Sequence, residues 1–237
     1  KDKKIKTLSI VLIIITSFLW QETETRGSLI GMILVLVFYV IFMKRNYLVV
    51  VLSIFIVATL FSSISHRFTS AYEISQDIFI NNMSFNDVMK KSYESNSEKN
   101  RIFFIYHSLK SISDKPFIGE GGKNTENNMR RVINDMNLNV EAMAHYHNDF
   151  LDVFTKYGII AGSFFTLFIF HFIIFFYRYR SNIYSLIGLN FVIVHLGFML
   201  TQSIFAHMQS TVFFIIVTYL LYSLVKKECS SSSLLKE

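Results

Sequence analysis

The sequence predicts an all-α, polytopic membrane protein. Three observations carry this. Of its 237 residues, 52% are hydrophobic and only 17% charged, with 25 Phe. That composition belongs to membrane proteins rather than soluble domains. The apolar residues gather in six runs separated by polar breaks. Lys and Arg concentrate in alternate breaks, as expected of a chain threaded through a bilayer.

The runs cover residues 7–20, 27–43, 47–64, 158–177, 183–205 and 209–225. A spanning helix needs about 20 mainly apolar residues, within a range of about 17–25. The fourth and fifth runs meet this readily, and the second, third and sixth sit at its lower end. The first is short and needs flanking residues or local thinning of the bilayer. Lys1, Lys3, Lys4 and Lys6 precede the first run, and Lys44 and Arg45 divide the second from the third. Arg178 and Arg180 follow the fourth, and Lys226 and Lys227 follow the sixth. If six spans alternate, these share one side with Lys236, giving it eleven Lys and Arg against Asp2, Glu228 and Glu237. The other side has twelve basic and fourteen acidic residues. Both termini are therefore expected in the cytoplasm. The net charge of +6 is a topology signal and argues against a nucleic-acid partner.

The domain plan follows: three transmembrane helices in 1–64, an extracytoplasmic loop domain in 65–157, three transmembrane helices in 158–225 and a cytoplasmic tail in 226–237. The chain opens on Lys1 and a basic stretch, with no small-residue cleavage site after the first run. It is expected to be the C-terminal part of a longer membrane protein. The single cysteine, Cys229, excludes an internal disulfide and a CxxC redox or zinc site.

The loop domain is too long for a passive connection. Three helices are predicted in it. The first covers 96–113, with Ile102, Ile105, Leu109 and Ile112 spaced at three and four. Ser95 and Glu98 fit a capping box at its start, and Asp114-Lys115-Pro116 fits its stop. The second covers 128–136, with Met129, Val132, Ile133 and Met136 on one face. The third covers 147–157, and Gly158 then lets it turn into the fourth span. The Ser-rich tail, 230–237, is expected to be disordered.

The candidates for chemistry lie on the extracytoplasmic side. Arg26, at the outer end of the second span, either snorkels to head groups or offers a bidentate guanidinium to a phosphate. Arg101, early in the first loop helix, either pairs with Glu98 or serves an anionic ligand. A cation near a helix start gains nothing from the dipole, so an anion explains it better. Arg130 and Arg131 fit a solvated face. His145 and His147 flank Tyr146, but no further ligand is spaced to join them, so no metal site is expected. His147 is either a silent neighbour of a helix cap or a general base. The dipole at a helix start favours neutral imidazole, which can take a proton from a sugar hydroxyl. Asn148 or Asp149 can orient the ring or cap the helix. His171 and His195, inside spans, fit helix-to-helix hydrogen bonding, and His207 can line the same site as His147.

Taken in order, three pieces resemble the O-antigen ligase and polymerase superfamily of bacterial envelope glycosyltransferases. They are Thr25-Arg26-Gly27 opening a span; Arg101 in a helix that ends in Asp114-Lys115-Pro116-Phe117-x-Gly119-x-Gly121; and His147-Asn148-Asp149-x-Leu151 before Tyr157-Gly158-Ile159-Ile160-x-Gly162. The resemblance covers nearly the whole chain. Members usually have about twice as many spans, so it implies a missing N-terminal half. The His-x-His-Asn-acidic form looks closest to the ligase branch. The resemblance implies a GT-C-like membrane fold, the bacterial inner membrane and a site on the periplasmic side. It also implies an undecaprenyl-diphosphate-linked O-antigen donor, a lipid A–core acceptor, and metal-independent, cofactor-free transfer with inversion. Carried over by residue, Arg26 and Arg101 hold the diphosphate and His147 activates the acceptor hydroxyl, supported by His145, Asn148 and Asp149. The alternatives are an O-antigen polymerase, with a second lipid-linked glycan as acceptor, and a transporter of lipid-linked glycan. Strong candidates at the outer edge, rather than in the bundle interior, count against transport.

Overall fold

A computed structural model describes residues 65–93 and 96–234. The first three apolar runs, Ser95 and Arg26 lie outside the described residues. Among the described residues the fold is helical, with no strand. Seven α-helices follow in order: α1 (Ser65–Phe79), α2 (Phe85–Lys90), α3 (Asn96–Asp114), α4 (Thr125–Asp135), α5 (Asp149–Arg178), α6 (Ile183–Met199) and α7 (Met208–Leu234). A 3₁₀ turn, Ile204–Ala206, lies between the last two.

Two cores result. The head core gathers Ile74, Val88, Met89, Phe103, Phe104, Met129, Ile133 and Tyr146 from α1 to α4 and the segment before α5. The bundle core gathers Ile169, Phe176, Leu189, Val192, Met199, Phe214 and Val225 from α5, α6 and α7. The start of α5 joins them, since Leu151 packs on the head core and Phe150 on the bundle core. Asp77, at the end of α1, braces the head. It accepts from Lys91 Nζ at 2.7 Å, Tyr93 Oη at 2.8 Å and Asn81 Nδ2 at 3.0 Å. These bonds, Lys91 first, hold its carboxyl down to about 2.

Helix α5 has a kink at Gly158, whose φ of 79° and ψ of −178° break the helical backbone. The break deprives Thr155, Lys156 and Ile159 of helical partners. The turn after α3 supplies them. Glu120 N donates to Thr155 O at 2.8 Å, Gly121 N to Lys156 O at 3.0 Å, and Ile159 N to Pro116 O at 2.7 Å. Backbone meets backbone here, so a Cβ on Gly158 would lie 2.1 Å from Phe117 O, and one on Gly119 2.5 Å from Lys156 C. A further bond fixes α3 to α5, between the buried hydroxyls of Ser108 and Thr155 at 2.7 Å.

After the kink, residues 159–178 rise roughly 30 Å, the thickness of a hydrocarbon core. Helices α5 and α7 are the two, among the described residues, long and apolar enough to cross a membrane; α6 is a shorter apolar helix. At one end of the bundle Asn182 Nδ2 donates to Glu228 Oε2 at 2.6 Å. Arg178 ends α5 at this end, and Lys226 and Lys227 lie on α7. The segment containing His147 lies at the other end.

The structure corrects four boundaries. The fifth run, expected to be helical over 183–205, leaves the helix after Met199, because Asp149 and Asn148 hold Leu200, Ser203, Ile204 and Phe205 in a loop. The second loop helix starts earlier than residue 128, at Thr125. The third starts at Asp149, because His147 takes a left-handed backbone with φ 51°. The tail is not irregular from Ser230: α7 continues to Leu234.

Candidate active site

His147 and Arg101 line one cleft of about 160 Å³, with Ser97, Asn100, Phe104, Met143 and Gln202. Arg101 comes from the second turn of α3. His147 comes from the segment before α5, 46 positions further along the chain. The cleft lies where the head core meets the bundle core.

The local sequence explains how His147 is aimed. Asn148 is the N-cap of α5, and its Oδ1 accepts from Leu151 N at 3.0 Å. The same residue reaches the loop after α6: its Nδ2 donates to Leu200 O at 3.0 Å and its N to Ser203 Oγ at 3.2 Å. Asp149 is 1% exposed, and its carboxylate accepts the amides of Ile204 at 3.1 Å and Phe205 at 3.0 Å. Asp149 therefore neither orients the imidazole nor caps α5; it clamps the loop after α6 by taking the otherwise orphaned amides of the 3₁₀ turn. The clamp presents Gln202 to the histidine, with Oε1 at 3.3 Å from His147 Nδ1. On the other side, Nε2 lies 3.0 Å from Met143 Sδ. With Nδ1 donating to Gln202, Nε2 carries the lone pair, and the thioether only packs against it on a flexible side chain.

His145 stands edge-on to His147 with ring centroids 4.6 Å apart, and 6.4 Å from His207. Burial, then the charge of His147, holds its imidazole below the ordinary range. His207, expected to line the same site, lies beside His145 and is not among the residues lining the cleft. His195 departs from its expected use: its Nδ1 contacts Phe191 O at 2.8 Å within its own helix. His171 is exposed and lies against Phe172 and Tyr222.

Behind the cleft runs a buried polar chain. His107 Nδ1 lies 2.8 Å from Tyr146 Oη, which donates to Glu120 Oε1 at 3.1 Å. Glu120 Oε2 accepts from Asn128 Nδ2 at 2.9 Å. Burial lowers the His107 imidazole and raises the Tyr146 phenol. Tyr146 N also donates to Asp152 Oδ1 at 3.0 Å, and Lys156 pairs with that oxygen at 3.0 Å. Every polar atom of Tyr146 named here is thus tied to a fixed neighbour, so residues 145–147 have little freedom to turn.

Sequence reasoning missed Gln202, Asn100 and Met143. For Gln202 the available signal is the polar triplet Thr201-Gln202-Ser203 inside an otherwise apolar run. Asn100 Oδ1 is buried and has no hydrogen-bond partner among the described residues, which makes it an acceptor available to a ligand hydroxyl. Arg26 lies outside the described residues. Arg130 pairs with Glu126 at 2.7 Å on the surface, and Arg131 is exposed.

The chain can therefore hold an anion beside Arg101 and deprotonate a hydroxyl at His147 within one cleft. The family model described as O-antigen ligase matches residues 10–166, a stretch that includes Arg26, Arg101 and His147. No curated protein and no solved structure matches the chain. On the strength of the family match, which covers more than half its length, the chain belongs to the O-antigen ligase family of membrane-embedded glycosyltransferases acting on lipid-linked glycans.

Proposed function

We propose that this chain carries the catalytic residues of an inverting, metal-independent ligase. The donor is O-antigen on undecaprenyl diphosphate, and the acceptor is a sugar of lipid A–core, on the periplasmic side of the bacterial inner membrane. The observation that carries this is the shared cleft of Arg101 and His147. His147 takes the proton of the acceptor hydroxyl as its oxygen attacks the anomeric carbon, from the face opposite the leaving group. The bond from that carbon to the diphosphate oxygen breaks, and the diphosphate leaves with the electron pair. Arg101, with Arg26, stabilises the charge that develops there. The two arginines take the place that a metal ion has in other phosphate-leaving transfers.

The test is a deletion strain complemented with His147→Ala. Membrane insertion is expected to be normal, with polymer accumulating on undecaprenyl diphosphate and none on lipid A–core. Normal display of O-antigen on lipid A–core overturns the proposal. Single repeats on lipid A–core instead identify a polymerase, which shares the donor and differs in acceptor. Purified wild-type protein that moves lipid-linked glycan across a bilayer without transferring it identifies a transporter.

A further inference from the structure

The turn between α3 and α4 exposes two adjacent large apolar side chains, Phe117 at 66% and Ile118 at 83%. Removing large apolar side chains from water is favourable, so leaving both in water is unfavourable. The turn has no freedom to tuck them inward. Its backbone is bonded at Pro116, Glu120 and Gly121 to the kinked stretch of α5, with no room for a Cβ at Gly119 or Gly158. The two side chains are therefore held beside the first turn of the apolar part of α5. There Ile159, Ile160 and Phe164 are also exposed, at 44%, 56% and 70%. Turn and helix form one continuous apolar surface, and the helix is long enough to cross a membrane. Asp114, Lys115 and Lys123, all exposed, flank the turn, as polar residues flank an interfacial anchor.

We propose that Phe117 and Ile118 insert among the acyl chains of the leaflet at this end of α5, as an interfacial anchor built into the head. The occupant is bilayer lipid, because the exposed surface is continuous with the side of a membrane-spanning helix. The anchor also has a route to the cleft. Glu120, in the same turn, holds Tyr146 through its carboxylate, and Tyr146 adjoins His147. The depth of the turn in the lipid thus sets the height of His147 above it. This goes beyond the transferase proposal and rests only on membrane placement.

The chain has one tryptophan, Trp20, so a Trp20→Phe background leaves a single reporter. Ile118→Trp and, separately, Phe117→Trp are placed in the full chain and reconstituted in phosphatidylcholine vesicles. Fluorescence is quenched with acyl-chain-brominated lipid or with aqueous iodide. Lys123→Trp is the exposed control. Both tip reporters are expected to be quenched by brominated lipid and shielded from iodide, with the control reversed. Quenching by iodide alone overturns the proposal, and so does protection from both quenchers, which would mean that protein covers the tip. Two independent tip positions keep the test decisive if one variant fails to fold.

Discussion

Gln202 Oε1 stands 3.3 Å from His147 Nδ1, although 55 residues separate them in the chain. An imidazole that donates from Nδ1 keeps its lone pair at Nε2, the nitrogen that a base needs free. Gln202 is therefore a positioning residue for His147. Gln202→Leu removes the acceptor and is expected to lower transfer at least about tenfold, since small misplacements of a reacting group are costly. Gln202→Glu keeps an acceptor at that place and is expected to restore much of the rate while shifting its pH profile. Initial rates against pH for both variants check this.

Asp149 is a second test of how the histidine is held. Asp149→Ala leaves two part-buried amides without their acceptor, at up to about 1–3 kcal/mol each if water does not reach them, and releases the loop carrying Gln202. Stability and transfer are expected to fall together. Hydrogen exchange at Ile204 and Phe205 is expected to accelerate in this variant, whereas Gln202→Leu leaves it unchanged.

The joint between the turn and the kink predicts an asymmetry among glycines. Gly158→Ala puts a methyl group 2.1 Å from Phe117 O at a φ of 79°. Backbone strain alone is about 1–3 kcal/mol, and the clash adds to it. A Cβ at Gly122 meets nothing closer than 3.6 Å, so Gly122→Ala is expected to be near neutral. Thermal unfolding in detergent compares the two.

Asp77 predicts the acid limit of the head. Its folded carboxyl is held down to about 2 from an ordinary 3.8. A lowered carboxylate stabilises the fold above its unfolded value, and that contribution is lost as pH falls from about 4 towards 2. The wild-type Tm is expected to drop through this window, and Asp77→Asn is expected to show a lower Tm at neutral pH with a flatter acid dependence.

Much of this was legible in the sequence because helices in it are punctuated strongly. The periodicity of Ile102, Ile105 and Ile112 with Pro116 beyond them marks α3 almost to the residue. Arg101 stands out because a cation at a helix start needs an anion, and His147 because a histidine beside a helix start can serve as a base. What stayed hidden is tertiary. Gly119, Gly121 and Gly158 read separately as a turn and a break, yet they are two sides of one backbone joint. Gln202 reads as a polar residue in a span, because nothing local shows that Asp149 pulls the following amides out of the helix. The opposed roles of Asn148 and Asp149 are equally invisible, since both are good capping residues.

The most direct measurement is glycan transfer by purified protein in lipid nanodiscs, with polyprenyl-diphosphate-linked donor and lipid A–core acceptor, comparing wild type with His147→Ala. A positioned general base contributes typically about 10²–10⁴-fold. The account predicts a loss of that order in turnover with donor binding retained. Transfer by His147→Ala at the wild-type rate would contradict it.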